Sequence, residues 1–171
     1  MTNSGVFLRV LVPVELQPSD APPAGDRGVK VGDGEWLSVS ESTVEALQLA
    51  ARLARGGEVY LVHTTPEFVD FPTWLSPKGL AELDDDARED ALSVLVGTAE
   101  RFCQGVTLHP VIRPGKPLDV TLAAAQQYDV EAIVLAASSR HRVNRALLGS
   151  TADKLIRQAV CPVVVVPSGP A

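Results

Sequence analysis

The stretch "ASSRHRVNRALLGSTADKLIRQAVCPVVVV", residues 137–166, runs through three unlike pieces in immediate succession. Arg140, His141, Arg142 and Arg145 crowd into six positions. Gly149-Ser150-Thr151 follows, then a segment of helical period, then an almost purely aliphatic strand. Loop, helix and aliphatic strand in that order make an α/β unit whose strand enters a sheet covered on both faces. A glycine and two hydroxyl residues at the start of a helix turn backbone N–H groups outward. With arginines beside them they suit an anion. The same residues also suit a solvated basic connection in which Ser150 caps the next helix. From Arg140 to Arg157 four arginines and one lysine stand against one aspartate, a local excess of +4 in a chain of formal charge −6. That reversal of sign marks where an anion would be held, without deciding that one is.

Outward from this stretch, runs of strand length alternate with longer runs of helical period. "VFLRVLVPV" (6–14) reads as a first strand, buried for most of its length. Residues 38–55 read as a helix with Val44, Leu47, Ala51 and Ala54 on one face. Two overlapping capping boxes open it, Ser38 with Glu41 and Ser42 with Glu45, and Gly56-Gly57 closes it. "EVYLVHT" (58–64) is a second strand, and a loop through Pro66, Pro72 and Pro77 leads to a helix over 79–102. "VTLHPVIR" (106–113) is a third strand, which Pro110 moves towards a sheet edge. A helix over 116–128, a fourth strand over 130–137, a helix over 150–159 and a last strand over 162–167 complete the chain. The acidic run "ELDDDARED" (82–90) is read as a solvated helix face near the helix start, where acids suit the dipole.

Residues 16–37, "LQPSDAPPAGDRGVKVGDGEWL", interrupt this alternation between the first strand and the first helix. Gly-Asp-Gly between "VKV" and "EWL" supplies the turn of a small hairpin. A segment of this length beyond a parallel strand is either functional or a mobile excursion. The chain as a whole, 1–171, reads as a single domain carrying this insertion.

Composition narrows the function classes. With 46% hydrophobic and only 5% aromatic residues, the core is built from Val, Leu and Ala. The net negative charge argues against nucleic-acid binding through a basic surface. Cys103 and Cys161 show no metal-like spacing and read as reduced thiols of an intracellular protein. No signal-like segment stands at the N-terminus, and the run Val163–Val166 is too short for a bilayer, so a cytoplasmic protein without membrane contact is expected. Three histidines without metal-ligand spacing predict no metal. His63 and His109, on strands, read as packed or surface residues, whereas His141, in the loop, would titrate near neutrality. Neither a nucleophile elbow nor a P-loop is present, so no enzyme is expected, with slow nucleotide hydrolysis as a weaker third reading. Trp36 and Trp74 are read as loop packing.

The order of elements, ending in "LLGSTADKLIRQAVCPVVVVP" (147–167), resembles the universal stress protein family. "VLVPVE" (10–15) is similar to that family's first strand, and "PGKPLDVTLAAAQQYDVEAIVLA" (114–136) to its Gly-x-Pro segment, third helix and fourth strand. The resemblance implies a doubly wound α/β fold of the adenine nucleotide alpha hydrolase-like kind. Its five-stranded parallel sheet would have the order 3-2-1-4-5, with helices on both faces. It also implies a homodimer through the last strand, 162–167, and an edge strand there would itself invite a second copy. In such a sheet a ligand sits where the strand order reverses, between the first and fourth strands. Glu15 and the loop from Ala136 to Ser150 would border that crevice.

Nucleotide-binding members share a Gly-x-x-Gly-x9-Gly-Ser/Thr motif. Counted back from Gly149, its first two glycines fall at Ala136 and Ser139. A Cβ on a residue forced into the left-handed region costs about 1–2 kcal/mol, close to a factor of ten in binding for each position. Against that loss, Ser138, Ser139, Ser150 and Thr151 offer hydroxyls, and Arg140, Arg142 and Arg145 offer charge. Glu15 stands where the family more often has Asp and would hold a ribose hydroxyl or an adenine group. Two functional readings therefore stand. In one, a regulatory stress-response module binds an anion or adenine nucleotide, ATP or AMP, through Glu15, Ala136, Ser138, Ser139, Arg140, Arg142, Gly149, Ser150 and Thr151. In the other, a dimeric interaction protein has its crevice closed by Ala136, Ser139 and the insertion.

Overall fold

The structure, a computed structural model, describes residues 6–31, 34–65, 77–137 and 150–167, with 77–84 described by backbone alone. In chain order the elements are β1 (Arg9–Pro13), β2 (Gln17–Ser19), β3 (Gly28–Val31), β4 (Glu35–Ser38), α1 (Glu41–Leu53), β5 (Glu58–Thr65) and α2 (Pro77–Phe102). Then follow β6 (Thr107–Pro114), α3 (Pro117–Gln127), β7 (Ala132–Ala136), α4 (Ser150–Gln158) and β8 (Val163–Val166).

The main sheet is parallel in the order β6-β5-β1-β7-β8. Counted over its own strands this is 3-2-1-4-5, a doubly wound α/β sheet. Alternation along each strand divides the core between the two faces. Val10, Val12, Val59 and Leu61 pack with Leu47 and Ala50 of α1 and with Leu95 and Ala99 of α2. Leu11, Tyr60, Val62 and Ile133 pack on the other side with Ala124 of α3 and Leu155 of α4. β1 pairs on both flanks, Leu11 lying between Tyr60 and Ile133, and so is central. β6 takes an end position, where a residue without an N–H such as Pro110 is tolerated.

The insertion forms a second sheet, antiparallel in the order β2-β4-β3. The expected hairpin is present, with Val31 opposite Glu35. The third strand, β2, has no signal of its own and exists by pairing Gln17 with Ser38 and Ser19 with Trp36. This sheet rests on α2: Val29 lies against Gly97, and Arg101 Nη1 donates to the Asp26 carbonyl at 2.6 Å.

The cap of α1 differs from expectation. Ser40, not Ser38 or Ser42, is the N-cap, its Oγ accepting from the Thr43 N–H at 3.1 Å. Tertiary partners claim the other two. Ser38 closes β4 and donates to the Gln17 carbonyl at 3.4 Å, while Ser42 donates to the Ala137 carbonyl at 3.2 Å. Ser40→Ala is expected to lower stability by about 1 kcal/mol in a urea titration; an unchanged midpoint would show that the cap bond adds nothing.

Candidate functional site

Beyond the carboxyl ends of β1 and β7, where the strand order reverses, lies a cavity of about 470 Å³. That volume is within the range of small-molecule sites. Each neighbouring element reaches it with its end. The chain after β1 contributes Val14, Glu15 and Leu16, and the end of β5 contributes His63 and Thr64. β7 brings Leu135 and Ala136, α4 its first turn from Ser150 to Ala152, and α1 the capping pair Ser40 and Thr43. Gln17 of β2 completes one wall, so the insertion takes part in the site.

Of the residues expected from sequence, Glu15, Ala136, Ser150 and Thr151 are brought together on this one cavity. Ser138, Ser139, Arg140, Arg142 and Gly149 lie outside the described residues. Ser150 was expected as the cap of α4; it is instead the first helical residue. Its position still leaves the first-turn N–H groups of α4, and the positive end of the helix dipole, at the cavity.

His63, read from sequence as a packed or surface residue, is one of the lining residues. Its Nδ1 lies 2.9 Å from the Val14 carbonyl oxygen, which can only accept, so Nδ1 carries the proton. Burial pushes the imidazole below its usual value of 6.5, against the opposite pull of the Val14 bond and of the Glu15 charge. The neutral ring with the proton on Nδ1 is therefore the form present near neutrality. The one signal in the sequence is its place near the carboxyl end of a strand.

Two other reactive side chains of the described residues, Cys103 and His109, have packing partners away from the cavity. Cys103 is buried, donates to the Leu47 carbonyl at 3.2 Å, and has its thiol pushed up to about 12 by burial. His109, expected as packed or surface, stacks on Tyr60 at 4.8 Å between ring centres. Among the described residues no group of three or more His, Cys, Asp and Glu could hold a metal ion. No described helix is long and apolar enough to cross a membrane.

The family model described as the universal stress protein family matches residues 38–167. A universal stress protein of Methanocaldococcus jannaschii is 30% identical over 132 residues, covering 74% of this chain and 76% of its own. Among solved structures, UspA of Lactobacillus plantarum is similar with a TM-score of 0.62 at 20% identity, over 96% of this chain and 99% of its own. A universal stress protein from Archaeoglobus fulgidus, solved in complex with dAMP, is similar with a TM-score of 0.54 at 21% identity, over 94% and 98%. At such identities the two structures speak for the fold. The family match begins at Ser38, so β1 and all of the insertion sheet but the last residue of β4, with Glu15, Leu16 and Gln17, lie outside it.

Proposed function

This chain belongs to the universal stress protein family, and from that premise we propose that it is a cytoplasmic regulatory module of the stress response that holds an adenine nucleotide, ATP or AMP, in the cavity between β1 and β7. The observation that carries this reading is the joining, on one cavity at the switch point, of an acceptor just after β1 (Glu15) with the first turn of α4. The α4 turn suits phosphate oxygens, and Glu15 suits sugar hydroxyls, which donate. Arg140 and Arg142, close in sequence to α4, add charge that offsets the close backbone approach lost with the glycines replaced by Ala136 and Ser139. The dAMP held by the Archaeoglobus relative supports the ligand class. The module works by occupancy and not by turnover, and it pairs as a homodimer through β8. That strand ends the sheet with Val163, Val164 and Val165 half-buried, beside Val160 at 89% exposure.

Isothermal titration of the full chain with ATP, AMP and cyclic AMP at two salt concentrations tests this. Micromolar binding that weakens with salt is expected, with at least a roughly tenfold loss in Arg142→Ala. A flat trace at millimolar nucleotide would overturn the reading in favour of the dimeric interaction protein without a nucleotide. That alternative draws on Ala136 and Ser139, which put a Cβ where the family motif has none.

A further inference from the structure

Most polar side chains of the cavity are indifferent to the sense of a hydrogen bond. The hydroxyls of Ser40, Thr43 and Thr64 and the carboxamide of Gln17 both donate and accept, so none of them separates an amino from an oxo substituent. Glu15 and His63 are one-sided. The Val14 carbonyl fixes the His63 proton on Nδ1, which leaves a lone pair on Nε2.

Topology says what that lone pair would meet. α4 follows β7 and leads into β8, on one side of the central β1; β5, which carries His63, lies on the other side. A phosphate at the first turn of α4 therefore directs the rest of a nucleotide past Glu15 towards β5. Two strand spacings of roughly 4.8 Å each separate β7 from β5. A nucleoside 5′-monophosphate spans that distance from phosphate to base edge. A phosphate at the His63 end would face two acceptors.

Resting on the nucleotide reading above, we propose that His63 is the specificity-determining residue of this cavity. Its Nε2 accepts from the exocyclic amino group of a 6-aminopurine and rejects a 6-oxopurine, whose O6 brings a second lone pair to the same place. The selectivity is pH-dependent, because a proton on Nε2 turns the acceptor into a donor. The groups around the ring agree with a neutral resting form. From the chain just after β1 come the Val14 carbonyl and Glu15, whose charge favours protonation; burial outweighs both. On β6 the register partner is Ile112, followed by Arg113, whose charge would oppose protonation. α1 presents the Ser40 and Thr43 hydroxyls at the cavity, and α2 turns Leu95, Thr98 and Ala99 inward, none charged.

The test compares AMP with inosine monophosphate by titration calorimetry on the full chain, at about pH 8 and then in steps below the ordinary histidine value of 6.5. AMP is expected to bind about tenfold more tightly at the higher pH, the ratio falling towards one on acidification. His63→Asn keeps an N–H donor for the Val14 carbonyl and removes the acceptor at the Nε2 position, its own carboxamide oxygen ending short of that place and being able to turn with the amide, so its ratio is expected to be about one throughout. Should that variant fail to fold, the wild-type pH series stands alone. Equal affinities at the higher pH, or a preference that acid does not change, would overturn the role of His63 and leave the nucleotide reading standing. Binding of neither compound would overturn both.

Discussion

Gly57→Ala is expected to lower the unfolding free energy by about 3 kcal/mol or more, a fall in Tm of roughly 10 °C, while Gly56→Ala costs about 1–2 kcal/mol. The ranking runs against backbone angles. Gly56 has φ +81° and Gly57 has no such requirement. Space decides instead. A Cβ at Gly56 meets nothing within 4 Å, whereas one at Gly57 overlaps the Leu8 carbonyl and comes within 3.1 Å of the Ala54 oxygen. The Leu8 carbonyl cannot withdraw, because it accepts from Glu58 N at 2.7 Å where β5 joins β1. Gly57 itself donates to Ala54 at 2.6 Å and accepts from Thr107 at 2.9 Å, tying the end of α1 to the starts of β5 and β6. A shift here loosens three strands of the main sheet at once. Urea midpoints of the two variants measure the difference, and a Gly57→Ala protein more stable than Gly56→Ala would show that the turn is not held in this way.

The same junction shows how far a sequence carries a fold. Gly56-Gly57 is legible as a helix stop, and the aliphatic runs around it are legible as strands, because burial on both faces leaves no polar alternation. Pro110 gives away its edge position for an equally local reason, the missing N–H. β2 was not legible. Gln17-Pro18-Ser19 has neither β-branched residues nor alternation, and it is extended because β4 offers it a partner. The cap of α1 was ambiguous among Ser38, Ser40 and Ser42 for the same kind of reason, since distant carbonyls of Gln17 and Ala137 settle which serine is left to cap.

The cavity divides along the same line. Glu15, Ala136, Ser150 and Thr151 could be named because strand ends and a helix start are local features, and strand order, taken from the family resemblance, placed them together. His63 needed knowledge of which strand lies beside β1 and which carbonyl faces its ring, neither of which any periodicity carries. Its burial also gives stability a pH dependence of definite sign. A histidine held below its unfolded value contributes stability above about 6.5 that is lost as pH falls through the folded value. Acid should therefore weaken the fold and the proposed base selectivity together.

Ser150→Asp is expected to separate helix start from ligand site, leaving stability unchanged or raised by about 0.5 kcal/mol while weakening nucleotide binding by roughly a hundredfold. Both effects come from one charge. At the first residue of α4 a carboxylate meets the positive end of the helix and stands one turn before Lys154, each favourable by a few tenths of a kcal/mol. Asp153 does not already fill that role, since its carboxylate is engaged by Arg157 at 3.0 Å. The residue is exposed at the cavity mouth, so the substitution creates no overlap in the core. A phosphate seated on the first turn of α4 would face this carboxylate at close range and lose N–H donors to it. Like charges in such a position cost several kcal/mol in the absence of salt, and a hundredfold loss corresponds to about 2.7 kcal/mol. The loss should shrink as salt is added, because screening acts on the repulsion and not on the packing. If Ser150 serves only to begin a helix beside a solvated basic loop, the stability term appears alone and the titration curves of variant and wild type coincide. A variant that binds nucleotide normally would therefore move the phosphate away from α4, and with it the direction that points the base at His63.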